Sequence, residues 1–447
     1  MNVQNQYGNL IRFGFSLVIW VAVTGAWGYV WFSRYADYIS QPFYFRGNVL
    51  VVGIYGFLLY FFTAFYGGYR LGYHKRGDIV YSGVLALLIL NILTYAQTSL
   101  LAGWFANAVP ILVMTMAQGA AVVVWGLAVG KFYAKVFAPQ ELLMVYGGEN
   151  LADNLHRKML DYPENYAIRD TIDISAGIND VCSRVAKYDG VILCDLRSDK
   201  RNDLLKFCFQ NGIQTYITPK ITDIIMRGAS EMNLFDTPLL HSRNSGLTIE
   251  QRFVKRLMDI TLSVAGLVLL MPVMLAVAAA VKLHDGGPVF YSQNRLTRGG
   301  KVFRLYKFRS MVVDAEAQSG AQLAAEGDSR ITSVGKVIRR FRLDELPQLF
   351  CSFLGSMSLV GPRPERPELA EEYQKTIPEF AYRLKVKPGI TGLAQTVGRY
   401  NTTAYDKLML DLTYISTYSI RQDIKTIFRT IRILFAKEST EGVRRDG

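Results

Sequence analysis

Five long apolar runs dominate the hydrophobic pattern of the chain, and four of them lie in its first third. These four cover Leu10–Phe32, Asn48–Phe65, Ile79–Leu101 and Ala108–Val129. Each has about the length that a helix needs to cross a bilayer, roughly 20 residues. Buried helices of a globular protein are the alternative. Four such runs with short connections favour a four-helix transmembrane bundle over residues 1–138.

Charged residues between the runs orient this bundle. Basic residues follow the second and the fourth run: Arg70, Lys75, Arg76, Lys131 and Lys135. The connection between the third and fourth runs carries no charge. Because basic residues are enriched on the cytoplasmic side of a membrane, both ends of the bundle are expected to face the cytoplasm.

From residue 139 to residue 245 the pattern changes to short apolar strands that alternate with helical segments. The stretches LLMVYGGENLADNLHRKML, YDGVILCDLRSD and NDLLKFCFQNGIQTYITP have the βαβ order of a small parallel sheet. This order predicts a Rossmann-like cytoplasmic domain. Gly147-Gly148 could bind a phosphate at a helix N-terminus, but the GxGxxG fingerprint is incomplete. A structural or oligomerising domain is therefore favoured over a dinucleotide-binding one.

The fifth apolar run, Ile260–Val281, contains no charged residue and is long enough to be a fifth span. Basic residues flank it on both sides: Lys255, Arg256, Lys282, Arg295 and Arg298. Both of its ends are therefore expected on the cytoplasmic side. Pro272, near the middle, removes a helix hydrogen bond and clashes with the preceding turn. These observations favour a re-entrant helix over residues 254–283, which breaks at Met271-Pro272 and returns to the same face.

The polar motifs are concentrated in residues 246–447. The stretch GPVFYSQNRLTRGGKVFRLYKFRSM predicts a small β-hairpin with a turn at Gly299-Gly300. DELPQLFCSFLG predicts a helix that ends at Gly355, and SMSLVGPRPERPE predicts a buried strand followed by a loop stiffened by proline. Aromatic and basic residues alternate at helical spacing over about 403–436, which is typical of helices on a bilayer surface.

Composition adds an anionic partner to this picture. Half of the 447 residues are hydrophobic, only 19% are charged, and the net charge is +13. Such a balance suits a lipid headgroup or a nucleotide. It would also suit a nucleic acid, but the chain has no nucleic-acid-binding motif, so no nucleic-acid partner is expected. The four cysteines are scattered without a CxxC pair and indicate reduced thiols in the cytosol.

Asp344 and Glu345 stand side by side in RLDELPQL. One continuous helix would make Arg340 and Asp344 a surface pair, worth under ~1 kcal/mol. Pro347 argues against it, since proline is tolerated in a first turn but costs about 3 kcal/mol in a helix interior. A new helix is therefore expected near Leu343-Asp344, where backbone N–H groups favour an anion. A simple capping role for Asp344 stays open.

Basic side chains on either side of these acids indicate phosphate chemistry. Lys307 and Arg309 alternate along an apparent strand and would share one face. Arg363 is held between two prolines in GPRP, which suits bidentate binding of a phosphate. Arg295 and Arg298 lie in the preceding basic loop. Two adjacent acids in such a setting could divide the work: one attacks phosphorus, and the other helps to hold Mg²⁺ or to move a proton.

Four motifs then occur in order: VKRLMDITLSVAGLVLLMPVML, GPVFYSQNRLTRGGKVFRLYKFRSM, RLDELPQLFCSFLGSMSLVGPRPE and KPGITGLAQTVGR. Together they resemble the bacterial sugar transferase family, the monotopic polyprenyl-phosphate phosphoglycosyl transferases. The resemblance covers the chain from about Phe253 to its C-terminus. The apolar runs and the βαβ segment before it resemble the large form of the same family.

The resemblance implies an activity and a set of roles. The enzyme would transfer sugar-1-phosphate from a UDP-sugar to undecaprenyl phosphate and release UMP, through a covalent phosphosugar intermediate. Asp344 matches the nucleophile, and Glu345 is expected to support Mg²⁺ binding or proton handling, so these two acids are also the expected metal ligands. Arg363 is expected at the diphosphate. Lys307 and Arg309 match the KFRS motif.

Two further expectations follow from the same resemblance. Residues in QTVGRYNTT, among them Gln395 and Arg399, are candidates for contacts with the sugar, whose identity the sequence does not give. The re-entrant helix of the family usually breaks at Ser-Pro, whereas this chain has Met271-Pro272. The hydroxyl that helps to satisfy freed backbone groups is missing here, so the angle of the break is open.

The predicted fold class is membrane α plus α/β: the transmembrane bundle, the Rossmann-like domain, and a mainly α catalytic domain with a re-entrant helix and a small β-hairpin. The expected location is the bacterial inner membrane, with the catalytic domain on the cytoplasmic face. Expected partners are a UDP-sugar, undecaprenyl phosphate and membrane lipids, and a homodimer stays open. The expected reaction initiates exopolysaccharide, capsule or O-antigen assembly. Two alternatives are a catalytically silent scaffold or regulator that binds nucleotide sugars, and an ordinary glycosyltransferase that releases UDP.

Overall fold

Apolar helices and sheets together make up the fold, as the predicted class, membrane α plus α/β, requires. The computed structural model describes residues 3–39, 42–69, 76–136, 139–160, 163, 166–242, 246–313, 328–398 and 402–434, with only the backbone given for residues 3–9, 76 and 134. The chain divides into two compact units, Met1–Pro219 and Lys220–Gly447. The predicted domain limits near residues 138 and 245 stay predictions.

The first unit begins with four helices that are long and apolar enough to cross a membrane. They are α1 (Val3–Val30), α2 (Phe45–Tyr66), α3 (Arg76–Ala102) and α4 (Val109–Val136). A π-helical turn at Trp31–Tyr35 continues α1. Each helix packs against two others, in the order α1–α2–α3–α4 and back to α1. The four predicted apolar runs coincide with these helices to within about two turns.

Three buried polar side chains connect the four helices. The Tyr55 hydroxyl of α2 donates to Asn91 Oδ1 of α3 at 2.9 Å, and Asn91 Nδ2 donates to Gln118 Oε1 of α4, also at 2.9 Å. Gln118 Nε2 then donates to the carbonyl oxygen of Val23 in α1 at 3.0 Å. Such bonds help helices to associate where the surroundings are apolar. The apolar pattern of the sequence gives no sign of this network.

A parallel sheet follows within the same unit. Its strands are β1 (Gln140–Tyr146), β2 (Tyr166–Asp173), β3 (Gly190–Cys194) and β4 (Gln214–Ile217), and its helices are α5 (Glu149–Leu160), α6 (Ile178–Val185) and α7 (Ser198–Gln210). The strand order is β2-β1-β3-β4. Every residue of β3 is buried, which explains its continuous apolar run. A Cβ at Gly147 would lie 2.7 Å from the Asp195 carbonyl oxygen, so packing alone requires glycine there.

The described part of the second unit contains one long helix, several shorter ones, two antiparallel hairpins and a pair of parallel strands. Its helices are α8 (Ile221–Arg227), α9 (Ile249–Asp285), α10 (Ser333–Arg340), α11 (Gln348–Leu354), α12 (Pro367–Thr376), α13 (Leu393–Val397), α14 (Ala404–Ser416) and α15 (Ile420–Leu434). Its strands are β5 (Ser230–Leu234), β6 (Thr237–His241), β7 (Phe290–Leu296), β8 (Val302–Phe308), β9 (Ser358–Val360) and β10 (Gly389–Thr391).

Helix α9 is 37 residues long and is the fifth helix with the length and composition of a membrane span. It begins at a capping box formed by Thr248 and Gln251 and ends before Gly286, whose φ is 70°. Pro272 lies inside it, and helical conformation continues on both sides of the proline. The expected interruption of the helix at Met271-Pro272 is therefore not seen. Proline removes only one backbone hydrogen bond of the helix. In a hydrocarbon layer the other backbone groups would find no partners outside the helix, which favours helical conformation on both sides of the proline. The re-entrant course stays a prediction.

Two main apolar clusters, with a third around Leu305, Cys351 and Met357, hold the second unit together. The larger one joins α8, β9, α12 and α14, with Val360, Leu408 and Leu412 among its buried members. The smaller one packs the C-terminal half of α9, including Val277, against Phe308 of β8 and against α10. The second cluster also contacts the turn between α10 and α11 and so positions the acidic residues of that turn.

Candidate active site

The two adjacent acids lie in the turn between α10 and α11. Helix α10 ends at Arg340, and Arg342 has left-handed backbone angles, φ 53° and ψ 26°. A 3₁₀ turn over Leu343–Glu345 leads through Pro347 into α11. The prediction that a new helical segment begins near these acids is confirmed, and one continuous helix with an Arg340–Asp344 pair is wrong. Positive φ at a residue other than glycine is uncommon and clusters at functional sites.

Glu345 is held by two cations. Its Oε1 atom lies 2.9 Å from Lys307 Nζ and 3.1 Å from Arg363 Nη2. The Glu345 side chain is 14% exposed. Burial acts to raise its pKa, but the charges of Lys307 and Arg363 outweigh burial and hold the pKa below its usual value. Glu345 is therefore a carboxylate at neutral pH.

Asp344 has a different environment, although it is the neighbouring residue. Burial and then the negative charge of Glu345 raise the pKa of the Asp344 carboxyl, while Lys307 and Arg339 act in the opposite direction. No side chain in the described part of the chain donates a hydrogen bond to this carboxyl. The Asp344 carboxyl is thus partly exposed, accepts no hydrogen bond from a described side chain and lies near the cations Lys307 and Arg339. These are the features of a nucleophile for phosphorus.

The β7–β8 hairpin positions Lys307. The two strands pair antiparallel, with Tyr291 opposite Lys307, and β8 packs against the 3₁₀ turn that carries the acids. Gly299 and Gly300 make the hairpin turn with φ values of 74° and 76°, which other residues rarely adopt. The predicted hairpin and its glycine turn are thus confirmed.

The loop that carries Arg363 is held by a buried arginine that sequence reasoning missed. Arg383 is 4% exposed, and its Nη2 donates to the carbonyl oxygen of Arg363 at 2.9 Å. The same nitrogen lies 2.7 Å from Asp411 Oδ2, and Nη1 lies 3.4 Å from Glu365 Oε1. Burial raises the pKa of Asp411 to about 6, and the charge of Arg383 opposes this rise. No local motif marks these residues, because their partners are distant in the sequence.

Arg309 contacts a different acid from Lys307. Its guanidinium pairs with Asp285 at the end of α9 and is 8% exposed. Lys307 and Arg309 thus contact different acids in this structure, Glu345 and Asp285. A common phosphate site for both cations stays a prediction. A role for Arg309 in substrate binding stays a prediction.

Arg295 also has partners away from the two acids. Its Nη1 donates to the carbonyl oxygen of Pro364 at 3.1 Å, and its Nη2 donates to Gln293 Oε1 at 2.6 Å. Burial lowers the pKa of the Arg295 guanidinium to about 10, so the group stays cationic at neutral pH. Arg295 thus supports the loop of Arg363 from the hairpin, and a contact with substrate stays a prediction.

The remaining predicted ligands lie elsewhere. Arg298 is exposed in the β7–β8 turn. Gln395 lies in α13, where its Nε2 donates to the carbonyl oxygen of Ile390 at 3.3 Å. Gln395 Oε1 is buried and finds no hydrogen-bond partner in the part of the chain that is described, so it is open to a donor. Arg399 lies outside the described residues.

The two acids fit an incomplete magnesium site. Among the residues that the structure covers, no group of three or more His, Cys, Asp or Glu side chains could hold a metal ion. Mg²⁺ is commonly bound by one or two carboxylates, with substrate phosphates and water as the other ligands. Glu345 Oε1 is already shared by two cations, which leaves Oε2 and the Asp344 carboxyl. A metal here would therefore depend on phosphate oxygens for its remaining ligands.

Comparison with known proteins places this site in a family. Residues 250–437 match the family model described as bacterial sugar transferase. A putative undecaprenyl-phosphate N-acetylgalactosaminyl 1-phosphate transferase of Bacillus subtilis (strain 168) is 44% identical over 163 residues, which are 36% of this chain and 90% of that protein. The chain belongs to the bacterial sugar transferase family. Both acids and their two cations lie inside the family region.

Two longer relatives carry different sugars in their names. The UDP-N-acetylgalactosamine-undecaprenyl-phosphate N-acetylgalactosaminephosphotransferase of Aeromonas hydrophila is 40% identical over 255 residues, 56% of this chain and 59% of that protein. The UDP-glucose:undecaprenyl-phosphate glucose-1-phosphate transferase of Xanthomonas campestris pv. campestris is 38% identical over 247 residues, 54% of this chain and 51% of that protein. The chain thus matches about half the length of these relatives, and membership of the family does not fix the sugar.

Proposed function

We propose that the chain is a phosphoglycosyl transferase that moves sugar-1-phosphate from a UDP-sugar to undecaprenyl phosphate and releases UMP. The observation that carries the proposal is the difference between two adjacent acids. Glu345 is anionic and occupied by Lys307 and Arg363, whereas Asp344 accepts no side-chain hydrogen bond within the described residues. The names of the Aeromonas hydrophila and Xanthomonas campestris relatives state a UDP-sugar and undecaprenyl phosphate, and this supports the same substrates here.

The chemistry balances in two displacements at one phosphorus. First, an Asp344 carboxylate oxygen attacks the β-phosphorus of the UDP-sugar, and the bond from that phosphorus to the bridging oxygen breaks, so UMP leaves with the electron pair. Second, an oxygen of undecaprenyl phosphate attacks the same phosphorus. The bond to Asp344 then breaks, and the carboxylate is restored. The product is undecaprenyl diphosphate-sugar.

Two cations prepare the site for a diphosphate. An anionic nucleophile approaches an anionic phosphorus only if positive charge offsets the repulsion. Lys307 and Arg363 supply that charge next to the acids, and the Arg363 side chain is 45% exposed, so its guanidinium can turn from Glu345 to a phosphate. Arg383 holds the backbone of Arg363 in place during this change.

Magnesium would be held by Asp344 and Glu345 together with phosphate oxygens of the substrate. When bound there, the ion would offset negative charge on the diphosphate. Glu345 is the acid better suited to a lasting contact, because its pKa stays low and its Oε2 atom is not used by Lys307 or Arg363. Asp344 keeps its carboxylate for the attack.

The contacts of α9 support a re-entrant course. At one end Lys255 pairs with Asp423 at 2.7 Å, and at the other end Asp285 pairs with Arg309. All four groups belong to the second unit. A helix that crossed the bilayer would place Lys255 on the side opposite to the residues that follow α9, among them Asp423, and would separate that pair. We therefore infer that α9 bends at Pro272 while it stays helical, and that it enters and leaves on the cytoplasmic face of a bacterial inner membrane.

The same proposal assigns the rest of the chain. Residues 1–138 would form a four-span transmembrane bundle, residues 139–245 a Rossmann-like cytoplasmic domain and residues 246–447 the catalytic domain. The four helices connected by Tyr55, Asn91 and Gln118 support the bundle. The order of the parallel strands, β2-β1-β3-β4, supports a Rossmann-like architecture. The reaction would begin assembly of a surface polysaccharide on a lipid carrier.

The nucleotide product tests this function. The full chain in membranes is incubated with Mg²⁺, undecaprenyl phosphate and one UDP-sugar at a time, and UMP and UDP are measured separately. The proposal predicts UMP with at least one sugar of the panel, beginning with UDP-glucose and UDP-N-acetylgalactosamine. Release of UDP would instead identify an ordinary glycosyltransferase. Binding of UDP-sugars without either product would identify a silent scaffold.

A further inference from the structure

Cations of the second unit surround the segment 355–357, which connects α11 to β9. The first of them is Arg256 of α9. Its Nη1 and Nη2 atoms donate to the carbonyl oxygens of Ser352 and Phe353, at 2.7 and 2.6 Å. These bonds hold the guanidinium at the C-terminal end of α11. The turn that carries Asp344 precedes the other end of this helix.

Arg298 lies at the same segment. The residue before it, Thr297, donates its hydroxyl to the carbonyl oxygen of Ser356 at 2.7 Å. The Arg298 side chain itself is exposed, and it has neither a hydrogen bond nor an ion pair within the described part of the chain. The β7–β8 turn thus presents an unpaired cation to the connection between α11 and β9.

Lys387 is the third cation. The next residue, Pro388, accepts a hydrogen bond from Ser358 N at 2.8 Å, which places Lys387 beside the same segment. Its half-buried ammonium has no hydrogen-bond or ion-pair partner in the described ranges. Burial, and then the charges of Arg256 and Arg298, lower the pKa of Lys387. This lowering is expected where a half-buried cation lies close to other cations.

The nearby acid does not neutralise these cations. Asp259 acts on Lys387 through its charge, but its Oδ1 accepts from Ser358 Oγ at 2.9 Å and from Leu359 N at 3.0 Å. Asp259 is 3% exposed, and its bonds attach α9 to β9. The surface formed by Arg256, Arg298 and Lys387 therefore keeps a net positive charge.

Exposed apolar side chains lie beside this surface. On α9, Phe253 and Leu257 are 70% and 57% exposed, and Leu354 at the end of α11 is 75% exposed. Phe253 and Leu257 are four residues apart and so lie on one face of the helix, beside Arg256. Basic groups at the margin of an apolar strip on a membrane helix are typical of the headgroup level of a bilayer.

We propose that Arg256, Arg298 and Lys387 bind the phosphate of an anionic phospholipid headgroup and so fix the second unit at the bilayer surface. Within the described residues, two cations lack an ion-pair partner and the third is bonded to carbonyl oxygens, so together they offer a phosphodiester both charge and hydrogen-bond donors. The apolar strip of Phe253, Leu257 and Leu354 contacts the acyl region of the same lipid layer. Arg298, one of the basic residues that the sequence associates with phosphate chemistry, belongs to this lipid site.

Binding of phosphatidylglycerol to the full chain tests the proposal. The protein is held in micelles of a neutral detergent, and native mass spectrometry measures its affinity for phosphatidylglycerol and for the zwitterionic phosphatidylcholine. Each basic group near an anionic lipid contributes about fivefold in binding. The variant R298Q/K387Q is therefore expected to lose about 30-fold in affinity for phosphatidylglycerol, with no change for phosphatidylcholine.

A matched control separates this site from general attraction. The variant K336Q/K375Q removes the same charge from exposed positions on α10 and α12, and it is expected to bind phosphatidylglycerol as the unchanged chain does. If R298Q/K387Q does not fold, the single variants R298Q and K387Q replace it, and each is expected to lose about fivefold.

Several outcomes would overturn the proposal. The first is equal binding of phosphatidylglycerol by R298Q/K387Q and the unchanged chain, and the second is an equal loss in the control variant. Competition by inorganic phosphate at the concentration of the lipid would assign the cations to a free anion. Competition by UDP-glucose or by undecaprenyl phosphate would assign them to a substrate.

Discussion

Lys307 Nζ lies 2.9 Å from Glu345 Oε1, and this contact gives two adjacent acids different properties. Glu345 is kept anionic and is occupied, since Lys307 and Arg363 both bind the same oxygen. Burial and the negative charge of Glu345 raise the pKa of the Asp344 carboxyl. This carboxyl accepts no side-chain hydrogen bond in the described ranges. Glu345 therefore binds the two cations, and Asp344 is the acid that we propose to react with the substrate.

Replacement of Asp344 by asparagine is expected to abolish turnover without unfolding the chain. D344N removes the proposed nucleophile, and UMP release should fall by at least about 10³-fold. The folded state should persist, because the substitution removes repulsion between Asp344 and Glu345 and breaks no side-chain hydrogen bond. UMP release and thermal unfolding of the purified chain measure the two effects.

The control for this experiment is D236N in the exposed β5–β6 turn, which should keep full activity. Mass spectrometry of the intact protein after mixing with UDP-sugar adds a second readout. The unchanged chain and D236N should gain the mass of one sugar phosphate when the lipid acceptor is withheld. Undiminished UMP release by D344N would remove Asp344 from the role of nucleophile.

Replacement of Lys307 by methionine is expected to shift the pH profile. Lys307 favours the anionic form of both Glu345 and Asp344, so its loss raises both pKa values. The acids then protonate at higher pH, and the acidic limb of kcat/KM moves toward neutral pH. K301M, which removes an exposed lysine of the same hairpin, should leave that limb in place. An unchanged acidic limb in K307M would show that the titrating group lies elsewhere.

Asp411 is expected to make the folded state less stable as pH rises. Its pKa is about 6 in the folded chain, above the ordinary value of 3.8, so the folded state holds the proton more tightly between these values. Stability is fully present below about pH 4 and falls by about 3 kcal/mol as pH rises through 6. D411N should remove this dependence, and thermal unfolding at pH 4 and pH 7 measures it. An equal pH dependence in D411N would contradict the assignment, and D236N again serves as the control.

The course of α9 can be tested with single cysteines. H284C places a thiol at the exposed end of the helix, and F105C places one in the connection between α3 and α4, where the side chain is 90% exposed. Both variants also carry C182S, which removes the one native cysteine that is partly exposed. The other three native cysteines are buried. An impermeant maleimide should label F105C in intact cells, but H284C only after lysis. Labelling of H284C in intact cells would show that α9 crosses the bilayer.

Glycine and proline made the local structure around the acids predictable. Pro347 and Gly355 mark the two ends of α11, and the pair Gly299-Gly300 marks the hairpin turn. The same approach failed at Pro272, where the loss of one backbone bond did not interrupt the helix. A single proline is a strong signal at the end of an element and a weaker one inside a long apolar helix.

The buried ion pairs could not be predicted from the sequence. Arg383 supports the loop of Arg363 through a backbone carbonyl and pairs with Asp411 on another helix. Neither contact leaves a local pattern, because each depends on where distant elements pack. Arg309 shows the same limit, since its type and spacing suited a phosphate while its actual partner is Asp285.

The ion pair at the start of α9 also constrains the order in which the protein is made. Lys255 finds its counter-ion at Asp423, 168 residues later in the chain. A ribosome therefore finishes α9 long before it makes α15, and a lysine buried without its acid is costly. The ion pair that fixes the start of α9 can form only after α15 has been made. A chain that ends before α15 would retain Asp344, Glu345, Lys307 and Arg363. It would lack Asp423, the counter-ion of the buried Lys255.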